Sequence, residues 1–164
     1  MKNGIIQPSS KKGDHPMLME EIIVGIMCVQ ALADDLHYRS YGSSFYSNHL
    51  LADRVKDGLD KTIDAIKEVY YLGEIKSEPP GTDYLMADAS KKVAEVRNTA
   101  SEGIADSNQA LVLSLLLGIE LLTKNVEMFK KENENLMSGT VALLDGLSQS
   151  MLLSFGLLNK VLPM

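Results

Sequence analysis

Tryptophan is absent from this sequence, cysteine occurs once, and aromatic residues reach only 5% of its 164 positions. Each scarcity removes a class of protein. A lone cysteine, Cys28, allows no intrachain disulfide, so a disulfide-stapled secreted domain is excluded and a reducing compartment is expected. Cys28 lies within I-I-V-G-I-M-C-V, where it reads as a small buried hydrophobe. Few aromatics, with 12 Gly and 5 Pro set between long apolar-periodic segments, favour helices over strands. Basic residues are also outnumbered, 16 against 22 acidic, for a net charge of −6. That balance excludes a generally basic, nucleic-acid-coating surface and suits the attraction of cations. Long hydrophobic runs are lacking too. The stretch 110–122 is strongly apolar but contains Ser114 and Glu120 and is too short to span a bilayer. The N-terminus, M-K-N-G-I-I-Q-P, has no apolar signal-peptide core. A soluble, cytoplasmic protein without a membrane partner is the expectation.

What is present is helical periodicity. Hydrophobic residues make up 45% of the chain and charged residues 23%, enough for one domain with its own core. Residues 1–16 carry Pro, Ser, Gly and Lys without periodicity and read as a flexible tail, with His15 a solvated residue within it. Residues 17–164 read as the folded domain. A first helix is expected over about 17–38, with Ile22, Ile23, Ile26, Val29 and Leu32 on its apolar face. A second runs from a cap at Ser47 or Asn48 to about Leu72, stopping at Gly73. Pro79-Pro80-Gly81 keeps the segment after it from being helical throughout. A shorter polar helix is expected over about 83–97, a third long one over 104–131 and a fourth over 137–161. Four long helices with one long crossover after the second describe an all-α, ferritin-like four-helix bundle, carrying a short extra helix in that crossover.

The second helix carries the chemistry. At about 100° per residue, His49, Asp53, Asp57, Asp60, Asp64 and Glu68 share an arc of roughly 100°, opposite Leu51, Val55, Leu59, Ile63 and Ile66. Such a stripe is ordinarily a solvated face. Imidazole beside carboxylate, however, suits iron or another first-row transition metal better than calcium or magnesium. At about 1.5 Å rise per residue, Asp53 and Asp64 stand roughly 16 Å apart along the axis. One ion, bound at about 2.0–2.3 Å from each ligand, cannot bridge that distance. His49 and Asp53 can share an ion, and so can Asp64 and Glu68. His37 joins the first pair if the Tyr38–Ser47 loop folds back. Uniting the pairs needs a second, antiparallel copy of the helix across a two-fold axis.

These residues resemble the signature of the Dps family of mini-ferritins, which form twelve-subunit hollow shells. In that signature a His ends the first helix and a loop with Gly and Phe comes after it. Next come His-x3-Asp and then an Asp and a Glu before Leu-Gly. Here these are His37, Gly42, Phe45, His49, Asp53, Asp64, Glu68 and Leu72-Gly73. The tight match covers about a quarter of the chain, and the rest agrees in helix order. Tyr38 stands where the family typically has Trp, and Val69 where Arg is usual.

The resemblance implies a ferroxidase. His37, His49 and Asp53 of one subunit would face Asp64 and Glu68 of its two-fold mate and act on iron there, as both metal ligands and catalytic groups. Fe(II) would be oxidised, with hydrogen peroxide as the usual oxidant in the family, and stored as ferric mineral. Asp57 and Asp60 would relay or solvate ions. The partner implied is the chain itself, as a homo-oligomeric dodecamer built from two-fold dimers. Many family members also protect DNA. The acidic balance predicts weak, salt-sensitive DNA binding here, with Asp14 opposing Lys2, Lys11 and Lys12 in the tail. The alternative is a structural or DNA-associated cage of the same fold with little ferroxidase activity.

Overall fold

The computed structural model describes residues 16–74 and 76–163, and every regular element among them is helical. The expected tail, His15 included, lies outside the described residues except for Pro16, which is exposed. In chain order the helices are α1 (Met19–Arg39), α2 (Phe45–Lys56), α3 (Leu59–Ile66), α4 (Thr82–Ser101), α5 (Ser107–Glu132) and α6 (Ser138–Asn159). A 3-10 turn, Gly42–Ser44, precedes α2, and a π turn, Lys67–Gly73, continues α3.

α1 is the centre of the molecule. Ile22, Ile23, Ile26, Val29, Ala33 and Leu36 are wholly buried, because α1 packs at once against α5, α2 and α4. A helix covered on several sides must be apolar around most of its girth. α1 and α5 approach closely through two glycines. A methyl group on Gly118 would sit 2.7 Å from Leu32 Cδ1, and one on Gly25 would sit 2.9 Å from Leu122 Cδ1. Each helix thus seats a leucine of the other where a side chain is missing. Cys28 is buried beside this contact, and desolvation pushes its thiol up to about 11, so it remains a packed, protonated group.

The remaining contacts close around α1. α2 lies against both α1 and α6, α3 also touches both, and α6 lies against α5. α4 sits outside, on α1 and α5. α5 begins later than its periodicity suggests, at Ser107. Asp106 caps it, accepting from the backbone N–H of Asn108 at 2.8 Å and of Gln109 at 3.2 Å. Lys130 in its last turn reaches Asp145 of α6 at 2.6 Å. The start of α6 is capped from afar, since Glu74 accepts from the Met137 N–H at 3.0 Å and from the Thr140 hydroxyl. α4 spans 20 residues, about a turn longer than expected from its polar pattern.

The expectation of one unbroken second helix is corrected. α2 ends at Lys56, and α3 starts at Leu59 after Gly58, whose φ is +82°. A left-handed residue cannot propagate an α-helix, and glycine adopts that conformation without a Cβ clash. The expected caps are corrected as well. Ser44 occupies the α2 N-cap, the Ser47 hydroxyl donates to the Ser44 carbonyl at 3.1 Å, and Asn48 is buried inside the first turns.

α6 is the described helix long and apolar enough to cross a membrane by length and composition, with mean hydropathy 1.5 over its most apolar window. A third of that window is buried within the protein. Leu152 and Leu153 lie on its outer face, exposed.

Candidate metal centre

The loop after α1 brings two histidines together. Ser40 ends α1 and sends its hydroxyl to the Leu36 carbonyl at 2.6 Å. Gly42, at φ +67°, turns the chain back. Asn48 then donates from Nδ2 to Ser40 Oγ at 3.2 Å, tying the first turns of α2 to the end of α1. Both polar side chains are buried, so this bond is shielded from competing water. His37, in the last turn of α1, and His49, in α2, consequently stack with ring centroids 3.6 Å apart at 37°. Tyr38 sets its ring edge-on to His37 at 4.3 Å, and Phe45 lies 5.4 Å from His49.

Asp53 completes the group one turn after His49. One ligand atom from each of His37, His49 and Asp53 can be chosen so that all three lie within 4.8 Å of one another. Two ligands on opposite sides of a first-row ion stand about 4.6 Å apart, so small rotamer adjustments suffice to gather the three around one ion. His37 Nδ1 lies 2.8 Å from Asp53 Oδ1. That contact is misdirected for a hydrogen bond, and Nδ1 is a buried polar atom without a hydrogen-bond partner. An imidazole nitrogen and a carboxylate oxygen this close are a donor pair that one shared cation can take up. The residues present therefore fit a transition-metal ion. His49 Nδ1 faces the His37 carbonyl at 3.4 Å. In the tautomer with the proton on Nδ1, Nε2 carries a free lone pair for the metal.

Asp64 and Glu68 are placed elsewhere. Asp64 is on α3 and Glu68 in the π turn, both exposed. The three-residue cluster does not include them, as the spacing along the helix anticipated for a single chain. Single π turns recur at functional sites because they rotate a side chain out of the α-helical register. Glu68 opens onto a surface recess shared with Val69, Gly73, Glu74 and Met137. Asp60, expected to relay or solvate ions, accepts from Gln30 Nε2 at 2.5 Å, and Asp57 stands exposed at the helix break.

Sequence periodicity missed several features. Lys56 binds Asp34 across α1 and α2, and this hydrogen bond raises the lysine's pKa. The Ser40–Asn48 brace involves two residues that look like ordinary loop and cap positions. Exposed side chains stand on the same segments as the histidines: Tyr38 is 73% exposed, Tyr46 71% and Leu50 50%.

The chain matches no protein-family model, no curated protein and no solved structure.

Proposed function

We propose that this chain is the subunit of a mini-ferritin that oxidises Fe(II) at a site between subunits and stores the ferric product in a hollow shell. The convergence of His37, His49 and Asp53 around a buried ring nitrogen without a hydrogen-bond partner carries the reading. The ring of contacts α1–α2–α6–α5, with α4 outside it in the crossover, suits a ferritin-like four-helix bundle.

In this reading the site takes three ligands from one subunit and Asp64 and Glu68 from its two-fold mate. The imidazoles hold the ferrous substrate, and the carboxylates favour the harder ferric product. Two Fe(II) give one electron each to hydrogen peroxide, whose O–O bond breaks. Two protons are taken up, and two Fe(III) and two waters result. The exposed side chains of Tyr38, Phe45, Tyr46 and Leu50 are covered by the partner, which also excludes water from the site. The assembled particle is a dodecamer working in the cytoplasm. Its strongly negative charge leaves DNA binding weak and sensitive to salt.

The test is molar mass in solution together with ferrous oxidation by peroxide on the same sample, for the natural chain and for a variant with Asp64→Ala and Glu68→Ala. A shell of about twelve chains that consumes Fe(II), with activity lost in an intact variant shell, supports the assignment. A shell inert toward iron sinks the ferroxidase, and a monomer sinks the shared site as well.

A further inference from the structure

A second recess, formed by α1, α4 and α5 and edged by arginine and serine residues on otherwise largely apolar walls, plays no part in the iron chemistry. It is a cavity of about 270 Å³ lined by Arg39, Arg97, Ser101, Ser107, Leu111 and Ser114, among others. Arg39 is the last residue of α1, Arg97 lies in the final turns of α4, and Ser107 opens α5. Three chain segments far apart in sequence thus bring two arginines and three serines to the walls of one space.

Charge within the recess is unbalanced. The Asp35 carboxylate is mostly buried and is clamped by Arg97, whose Nε donates to Oδ2 at 2.6 Å and whose Nη2 meets the same oxygen. Arg39 reaches only the other oxygen of Asp35, with Nη1 at 3.7 Å from Oδ1, and remains 63% exposed. Two guanidinium groups therefore share one carboxylate, and the donor fork of Arg39 is left largely free. Three serines line the same recess, and the Ser114 hydroxyl already donates to the Ala110 carbonyl at 2.8 Å. Ser107 Oγ lies 3.1 Å from the Tyr41 hydroxyl, and the Ser101 hydroxyl makes only a long bond of 3.3 Å to the Asn98 carbonyl. Both can rotate to donate to a ligand. Asp106 already occupies the start of α5, so the helix end supplies no site by itself.

We infer that this recess binds a small tetrahedral oxyanion, inorganic phosphate or a phosphate monoester. Guanidinium forks match such an anion with paired, charge-assisted hydrogen bonds. The hydroxyls complete its shell, and Leu111 on the α5 wall accommodates an apolar substituent. A small ligand fits better than a polynucleotide, because the cations line a recess and the chain is acidic, at −6. The inference does not rest on the iron reading.

The experiment is calorimetric titration of the full chain with inorganic phosphate near neutral pH, in low salt and with chelator present to remove iron. Saturable binding of one phosphate per chain is expected. Arg39→Gln should weaken it by about tenfold, the effect of losing a charged hydrogen bond. Ser107→Asp should abolish it by placing a carboxylate at the mouth, in a first helical turn where an acidic residue is tolerated. Arg97 is left intact because its loss would strand Asp35. Unchanged thermal unfolding in both variants separates binding from folding. Absence of saturable binding, or equal binding in both variants, overturns the inference. Displacement of the phosphate by a duplex oligonucleotide reassigns the recess to nucleic acid and overturns it too.

Discussion

The two halves of the broken second helix treat Asp53 and the Asp64–Glu68 pair differently. Before Gly58, Asp53 sits against His37 in a site braced by Asn48, Ser40 and the stacked imidazoles. After Gly58, Asp64 and Glu68 stand exposed on α3 and its π turn, outside the three-residue cluster. One half is organised by its own chain and the other is open to a second molecule. On the proposed reading, a site divided in this way would assemble fully only where two subunits meet, coupling its chemistry to oligomerisation.

The sharpest way to break the contrast is to disable the organised half. Asp53→Ala should lower Fe(II) affinity by about 100-fold, since disrupting a metal site's ligand shell costs tens- to hundredfold in affinity. Equilibrium binding of ferrous iron under anaerobic conditions reads this directly, and a change under threefold would falsify the ligand role. The next effect concerns the break itself. Gly58→Ala forces a Cβ into a left-handed conformation and should destabilise the fold by about 1–2 kcal/mol. Denaturant unfolding measures it, and an unaltered midpoint would mean the break relaxes freely. A smaller change comes from the brace. Asn48→Ala should lose about 1 kcal/mol, because Ser40 then keeps a buried hydroxyl without its donor. If the brace orients His49, iron binding weakens in the same variant, whereas unchanged binding would limit Asn48 to folding. The smallest effect is expected on the open half. Replacing Asp64 and Glu68 together by Ala should shift subunit stability by no more than about 0.5 kcal/mol, as for exposed positions elsewhere. A large loss would show that these carboxylates are structural and would erase the contrast.

Much of the helical layout was legible from residue order. The buried faces of α1 and α5 repeat at helical spacing, and the last turn of α5 carries Lys130 and Lys131, which suit its dipole. The position of His37 relative to His49 came from a loop with one well-placed glycine. The break at Gly58 was not legible, because a single glycine within a continuous apolar stripe reads as tolerated helix. The true caps were obscured for a similar reason. Ser47 and Asn48 have capping chemistry, but the 3-10 turn starts the helix earlier and buries Asn48 instead.

Sequence alone determined an all-helical chain with an imidazole–carboxylate stripe, because hydrophobic period and side-chain chemistry are local properties. Tertiary structure decided which of those groups meet. His37 and Asp53 touch because the Gly42 turn and the packing of α2 on α1, braced by the buried Asn48–Ser40 bond, fold α2 back along α1. Asp64 and Glu68 remain apart because they lie about three turns and more further along the chain, on α3 and in the π turn that follows it. Arg39 and Arg97, which no local pattern connects, converge on one carboxylate only once α1 and α4 pack. Contacts of that kind depend on burial and on distances between segments remote in the chain, and periodicity carries no information about either.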